Sequence, residues 1–344
     1  MKMERHDVVI VGGGPAGLQC SRILAPSGLR VLLLEKGETF GDKLCAGGLT
    51  LKDMEVLPLP GDVIAHEISR AVLHSRRRRS ETHAPAPFLF TVDRLELGHY
   101  QRSLLDATQV EVRTGSQVTT VEGDRVILRD GTEIAFTYLV GADGYASVVR
   151  RHLGLKMEKK LMGFQYTIPR DKIEPVMEIF LDSRYFHEWY AWIFPHRDHI
   201  VAGCCCDPAR VSHGKVMENL DRWLEEKQVD RGSALLESYP IGYDYRGTRF
   251  GNIFLAGEAA GLASGFTGEG IYQSLASGQE VAAMITDRDH DPLLLREVLK
   301  YNRILERVMK VFRLAGPLRG GLQEILLILM DRRWFKERIN AGFS

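Results

Sequence analysis

Six residues near the start of the chain, Gly12-Gly13-Gly14-Pro15-Ala16-Gly17, have the types and spacing of a phosphate cradle. A glycine at the first position permits a tight turn. One at the third lets a pyrophosphate approach the backbone, and one at the sixth lets a helix pack closely on a sheet. Pro15 suits the first turn of that helix, and the free N–H groups at its start attract phosphates. Glu35 follows about 20 residues after the glycines, the distance of a carboxylate that binds a ribose. An acid there favours a free adenosine ribose and disfavours a 2′-phosphate. These residues together point to an extended dinucleotide.

Such a cradle works only between a strand and a helix. Asp7-Val-Val-Ile-Val11 is a short β-branched run that predicts a buried parallel strand, and Leu18, Ile23 and Leu24 follow at helical spacing. A second apolar strand, Val31 to Leu34, ends in Glu35. Further on, Tyr138-Leu-Val-Gly-Ala-Asp143-Gly144 reads as a strand running into a turn, with Ser147 and Arg150 close behind. Asn252 to Gly261 reads as another strand, ending in Gly257-Glu258-Ala-Ala-Gly261. Next come Gly265-Phe-Thr-Gly268-Glu269-Gly270 and a helical stretch from Ile271 to about Ile285. Three strand ends thus deliver glycines and carboxylates toward one crevice, as a long ligand laid across strand ends requires. The glycine fingerprint alone does not separate NAD from FAD; the downstream chain can.

Here the residues carry a family resemblance. The early glycines, Asp143-Gly144 and Gly257-Glu258 together resemble the FAD-binding fold of the aromatic hydroxylase and glutathione reductase type. Lys43-Leu-Cys45-Ala46-Gly47-Gly48 resembles the Lys-x-Cys-Gly-Gly-Gly element of the geranylgeranyl reductase family. Tyr190-Ala-Trp192-Ile-Phe194-Pro195 resembles that family's Tyr-x-Trp-x-Phe-Pro signature, and Phe266 to Gly270 resembles its flavin-contacting turn. The likeness runs from about residue 5 to about residue 285. The chain departs from the family pattern at His187, Ala46, Gly265 and Glu258, where Pro, Gly, Pro and Asp are usual. These departures leave FAD expected and the substrate more open.

The resemblance implies an α/β protein with a Rossmann-like FAD-binding domain, an inserted α+β substrate domain built on an antiparallel sheet, and a C-terminal helical tail. The expected division is 1–57, 91–158 and 246–292 for the FAD-binding domain, 58–90 and 159–245 for the substrate domain, and 293–344 for the tail. The implied activity is an FAD-dependent reductase that saturates C=C bonds of a prenyl (geranylgeranyl-type) chain or prenyl lipid by hydride transfer from reduced flavin. Gly12, Gly14, Pro15, Ala16 and Gly17 would then hold the pyrophosphate, and Glu35, with Lys36 beside it, the adenosine ribose. Asp143, Gly144, Gly257 and Glu258 would secure the phosphate and ribityl end. Lys43, Cys45, Ala46, Gly47 and Arg94 would lie against the cofactor. Gly268, Glu269, Gly270 and Ile271 would start a helix whose positive end faces the flavin N1 and C2=O. Cys45, Tyr190 and Trp192 are the candidate catalytic residues. Cys45 could give a proton to the product carbon, or merely pack. Tyr190 and Trp192 share a face at period two, either as sheet core or as the wall of a lipid cavity. Aromatic faces there would stabilise a developing cation by about 0.5 to 2 kcal/mol.

Composition bounds the rest. The chain has 344 residues, 44% hydrophobic and 26% charged, with 45 basic and 45 acidic side chains, a length for about two domains. A net charge of zero argues against a nucleic-acid binder. No apolar run reaches the roughly 18 to 20 residues of a membrane helix. A charged N-terminus leading into a strand is expected to carry no signal peptide. The cysteines do not form a disulfide framework, and consecutive Cys204, Cys205 and Cys206 cannot all face one metal from a strand, so no metal site is expected. A reduced, cytoplasmic setting follows, extended to the inner face of the membrane by the tail. There Leu314, Leu318, Leu322, Ile325, Leu326 and Leu329 mix with Arg313, Arg319, Arg332, Arg333, Lys336 and Arg338. Such helices lie on anionic bilayers or cap a domain, and the two fates are compatible. Arg76 to Arg79 reads as a solvated turn or as a contact for an anionic head group. The expected partner is a prenyl lipid or other hydrophobic small molecule. NADPH, NADH and a ferredoxin-like protein are all open as electron donors. The alternatives are a flavin monooxygenase acting on an aromatic or lipid substrate, and an electron-transfer flavoprotein reducing quinone.

Overall fold

The apolar run after Glu4 forms the strand Glu4–Val11, at the centre of an eight-stranded sheet in a computed structural model that describes residues 3–330. Across this sheet lie Arg249–Phe250, Ile253–Leu255, Glu133–Gly141, Glu4–Val11, Val31–Leu34 and Glu111–Arg113. The hairpin Val118–Glu122 and Arg125–Leu128 joins alongside Glu133–Gly141. The five strands from Ile253–Leu255 to Glu111–Arg113 pair in parallel. Val8 and Ile10 pack on one face with Leu18 and Val281, while Val9 and Val11 pack on the other with Phe136 and Leu295. Burial on both faces is why these strands read as continuous rather than alternating apolar runs.

Register places the motif residues. Val11 pairs with Leu34 and with Gly141, and Gly141 pairs with Leu255. The residues that follow these four, Gly12, Glu35, Ala142 and Ala256, therefore emerge together at the carboxyl edge. The helices Pro15–Leu24 and Ile271–Thr286 cover this edge so closely that a Cβ on Gly278 would lie 2.3 Å from the Ala16 carbonyl oxygen.

A second sheet has seven strands, ordered Glu237–Gly242, Lys160–Pro169, His199–Cys206, Ala191–Pro195, Val176–Phe180, Arg70–His74 and Arg79–His83. All neighbours are antiparallel except Val176–Phe180 with Arg70–His74. One face packs against the helix His213–Glu226 through Phe164, Tyr166, Cys204, Leu220 and Trp223. The other carries Leu161, Trp192, Val201 and Cys205. The three consecutive cysteines thus alternate sides, and burial pushes Cys205 and Cys206 up to about 12.

Three features differ from the sequence reading. Gly48–Thr50, Leu89–Val92 and Ile64–Ile68 form a separate three-stranded sheet, which spans the boundaries expected at 57 and 90 because Gly48–Thr50 pairs with Leu89–Val92. The strand that takes up Trp192 begins only at Ala191 and leaves Tyr190 before it, since His187 has a φ of 54° and turns the chain after the short helix Ser183–Phe186. The tail forms the helices Leu293–Leu314 and Arg319–Met330, but Arg313 and Arg319 point inward to buried Glu188 and do not belong to an outer basic face. Arg332, Arg333, Lys336 and Arg338 lie outside the described residues. The Arg76–Arg79 run makes the turn into Arg79–His83, where Ser75 and the Arg77 amide donate to Glu324.

Candidate functional site

The dinucleotide end is built by three glycines with three different duties. Gly12 has a φ of 106°, and a Cβ there would sit 2.4 Å from the Ala142 carbonyl oxygen. A Cβ on Gly17 would lie 1.9 Å from the Gly12 carbonyl oxygen, so helix and loop touch through backbone alone. Gly14 caps the helix Pro15–Leu24 and has nothing within 4 Å of its open side. Pro15 and Ala16 occupy the first turn. Glu35 accepts from the Gly13 amide at 2.5 Å and the Gly37 amide at 2.8 Å, which fixes its carboxylate against the loop. A carboxylate has about four acceptor positions, so this leaves capacity for a hydroxyl donor. Lys36 beside it is exposed.

At the next strand end, Asp143 accepts from the Val148 amide at 2.6 Å through one oxygen. Its other oxygen, Oδ1, is buried without a partner, and burial pushes the carboxyl upward. Gly144 has a φ of 72° and lies beside Glu258, a Cβ there falling 3.8 Å from Glu258 Oε2. Glu258 uses its extra methylene to accept from the Gly242 amide at 2.8 Å and to pair with Lys43 at 2.5 Å. Lys43 also stands 4.6 Å over the Tyr239 ring. Gly257 sits against Ala16 and Ser274, its amide donating to Ser277 Oγ at 2.8 Å.

The segment from Lys43 to Gly47 is held at nearly every residue. Lys43 is tied to Glu258, and the Cys45 carbonyl accepts from Gln165 Nε2 at 3.4 Å. The Ala46 carbonyl pairs with His196 Nε2 at 3.0 Å, and the Gly47 carbonyl accepts from the Val92 amide at 3.0 Å. Gly47 has a φ of 73° and leaves no room for a Cβ, which would meet Val92 O at 2.2 Å and His196 at 2.8 Å. The Gly47 amide donates to Cys45 Sγ at 3.3 Å, orienting a half-buried thiol. Arg94 begins the helix Arg94–Ser103 and is buried; its Nη1 has no partner, and desolvation lowers its pKa against the opposing influence of Cys45.

The aromatic segment clamps the turn before the helix Ile271–Thr286. Trp189 Nε1 donates to the Gly265 carbonyl at 3.1 Å, and the Tyr190 hydroxyl to the Thr267 carbonyl at 2.5 Å. Gly265 is needed because Tyr243 fills the space of a side chain, 2.4 Å from a Cβ. Gly268 has a φ of 71° and faces Cys205 and Ile241; Gly270 caps the helix that Ile271 begins. Glu269 is exposed at this turn and accepts loosely from Tyr301 at 3.4 Å. The Tyr190 and Trp192 rings lie 6.1 Å apart at 66°, sharing a face as their spacing predicts. Trp192 lies across Gly203, where a Cβ would come within 2.5 Å, and its buried Nε1 is unpartnered.

Asp143 Oδ1, Arg94 Nη1 and Trp192 Nε1 are thus buried polar atoms without a protein partner on the segments that carry the glycine, Lys43–Gly47 and Tyr190–Pro195 motifs or pack beside them. Unpaired buried polar atoms are unfavourable unless a ligand or water satisfies them. Phosphates, ribityl hydroxyls and ring carbonyls are a matching set of partners. The FAD binding domain family matches residues 5–286. The chain belongs to this family. It is an FAD-binding oxidoreductase, and FAD is its cofactor. Among curated relatives, it is similar to the chloroplastic geranylgeranyl diphosphate reductase of Oryza sativa subsp. japonica, 28% identical with 94% of this chain and 78% of that protein covered. It is equally 28% identical to digeranylgeranylglycerophospholipid reductase 2 of Methanopyrus kandleri, with 82% and 78% covered. A crystal structure of a geranylgeranyl bacteriochlorophyll reductase-like protein from Thermoplasma acidophilum shares the fold, with a TM-score of 0.81, 20% identity, and 96% and 92% covered.

Within this FAD-binding chain, the sequence reading did not find Gln165 and His196. Both are polar residues buried in otherwise apolar strands or at their ends, at 5% and 3% exposure, and that mismatch was the available signal. Burial pushes His196 from 6.5 down to about 4. The folded chain therefore binds this proton less readily than the unfolded chain between those values. Stability rises with pH across that window and is lost as pH falls through it, by at most about 3 kcal/mol. His196→Gln can still donate to the Ala46 carbonyl and should flatten the pH dependence of thermal unfolding between pH 6.5 and 4 relative to the parent protein. An unchanged profile would show that another group sets the acid limit.

Among the described residues, Glu4, His6 and Glu111 bring metal-ligating atoms within 4.8 Å of one another, but the Arg113 guanidinium pairs with both carboxylates and takes the place of a cation. A groove of about 330 Å³ lined by Arg70, Arg170, Ile193 and Ile200 opens on the sheet face opposite Trp192 and Val201, away from the crevice.

Proposed function

We propose that this chain reduces C=C bonds of a prenyl chain or prenyl lipid. The observation that carries this reading is the apolar cluster behind the Lys43–Gly47 segment, where buried Leu161, Trp192 and Val201 are edged by partly buried Ala46, Phe194 and Ile241. An apolar, aromatic wall accepts an isoprenoid without desolvating charge, and the names of the two curated relatives support that substrate class. Bound reduced FAD supplies the hydride. The protein supplies placement: Gly14, Glu35 and Asp143 hold the dinucleotide, and Gln165 and His196 fix the segment carrying Cys45. Cys45 Sγ is the proposed proton source for the second carbon, its orientation set by the Gly47 amide. Trp192 offers its face to the carbon that becomes electron-poor. Tyr190 acts by holding the Thr267 turn, since its hydroxyl is already committed there. The division into FAD-binding segments and a substrate domain on the antiparallel sheet is part of this proposal.

The test is anaerobic reoxidation of the dithionite-reduced holoprotein by geranylgeranyl diphosphate and by a digeranylgeranyl lipid, with product hydrogenation followed by mass spectrometry. Reoxidation with a hydrogenated product is expected. Cys45→Ala should retain FAD and lose about 100-fold in turnover if the thiol is the proton donor; unchanged turnover would leave it a packing residue. Failure with prenyl diphosphates and prenyl lipids overturns the substrate class. Oxygen-dependent hydroxylation of an aromatic would replace it with a monooxygenase, and reduction of quinone rings alone with an electron-transfer role. NADPH, NADH and reduced ferredoxin tested in parallel identify the donor.

A further inference from the structure

The helix Leu293–Leu314 has two unlike sides. Its inner side backs the site: Met309 and Phe312 are buried, Phe312 stacks on Phe266 with centroids 6.2 Å apart, and Arg313 lies 5.6 Å over Trp189. Its outer side carries Lys300, Arg303, Arg307 and Lys310, all exposed, and none has an ion-pair partner among the described residues. Ile304, Val311 and Leu314 stand among them on the same face, 49%, 57% and 77% exposed. Past the turn at Gly316–Leu318, the exposed side of the helix Arg319–Met330 carries no charged residue. Leu318, Ile325, Ile328 and Leu329 are exposed, while Arg319 and Glu324, its charged side chains, are turned toward Glu188 and Ser75.

We propose that this helical pair is a docking surface for an anionic lipid monolayer. The aliphatic side of Arg319–Met330 enters the acyl boundary, and the four cations of the preceding helix meet lipid phosphates. The charge pattern selects this occupant. Aliphatic residues between unpaired cations suit a layer that is apolar beneath and negative at its surface. A second copy meeting this face would bring cation against cation. No helix among the described residues is long and apolar enough to cross a membrane, so the contact is peripheral. The surface goes beyond the substrate reading and does not depend on it. It sets the wall of the site one helix thickness from the bilayer.

The experiment is flotation of the flavin-loaded full chain with vesicles of phosphatidylcholine alone and of phosphatidylcholine with phosphatidylglycerol. Binding to the anionic vesicles, weakened by salt, is expected. The pairs Arg307→Glu/Lys310→Glu and Ile325→Asp/Leu329→Asp should each reduce partitioning at least about tenfold, with the flavin spectrum and melting temperature unchanged. No binding, binding that ignores these substitutions, or an aspartate pair that converts a dimer to a monomer would overturn the proposal. None of the readouts uses turnover, so inactivity on prenyl substrates leaves the result interpretable.

Discussion

Replacing Gly14 by valine is expected to yield a folded protein without flavin, whereas replacing Gly17 by alanine should damage the fold itself. Gly14 has φ −78° and ψ −179°, extended backbone that any residue adopts, and no atom lies within 4 Å of where its Cβ would point. Valine is a poorer helix cap than glycine, and that substitution costs the FAD-free protein about 1 kcal/mol. The open space is nevertheless where a pyrophosphate must come against the helix start. An isopropyl group there should weaken FAD affinity at least about 100-fold, equivalent to about 3 kcal/mol. Gly17 is the opposite case. A single methyl would lie 1.9 Å from the Gly12 carbonyl oxygen, and neither backbone can yield without pulling the helix off the sheet. Titration of stripped protein with FAD, beside thermal melts of the same samples, separates the two effects. A Gly14→Val protein that binds FAD normally would mean that the dinucleotide does not approach the helix there.

The parts of this architecture legible in the sequence are those fixed by local patterning. Val8 to Val11 and Val31 to Leu34 are apolar at every position because both faces are covered, and the glycines mark where backbone meets backbone. The crevice followed from strand ends that register together. What was not legible depends on pairings between distant residues. Gln165 reaches Cys45 across 120 positions and His196 reaches Ala46 across 150, and no periodicity encodes either. The pairing of Glu258 with Lys43 and the Gly242 amide is likewise a long-range use of its extra methylene that only the fold reveals. The period-two spacing of Tyr190 and Trp192 suggests one strand, but the turn at His187, with its positive φ, leaves Trp189 and Tyr190 outside the ladder to hold Gly265 and Thr267. The tail's amphipathic pattern is visible in the sequence, but the pattern does not show that Arg313 and Arg319 turn inward, because their counter-ion lies in another segment.

That counter-ion gives the second large expected effect: Glu188→Ala should destabilise the protein by about 4 kcal/mol and release the C-terminal helices from the site. Glu188 is 2% exposed and serves three guanidinium groups: Arg313 at 2.9 Å, and Arg319 and Arg210 at 3.5 Å. Truncation leaves the mostly shielded Arg319 with no carboxylate in ion-pair range, and Arg313 with only Asp207 at 3.6 Å. Losing one member of a buried ionic group is far worse than losing the group, because the remaining charges stay desolvated. Glu188→Gln preserves shape and should fall between the two. Glu188→Leu combined with Arg313→Leu should recover part of the loss, as apolar packing replaces the pair. Hydrogen exchange distinguishes this from general weakening: in Glu188→Ala, amides of residues 305–330 should exchange faster, while those of Glu4–Val11 stay protected. The same change frees Trp189, which sits beside Glu188 and holds the Gly265 carbonyl, so FAD should bind more weakly. A variant that melts with the parent and shows no added exchange in those helices would mean that apolar contacts such as Phe312 on Phe266 hold the tail without the charge cluster.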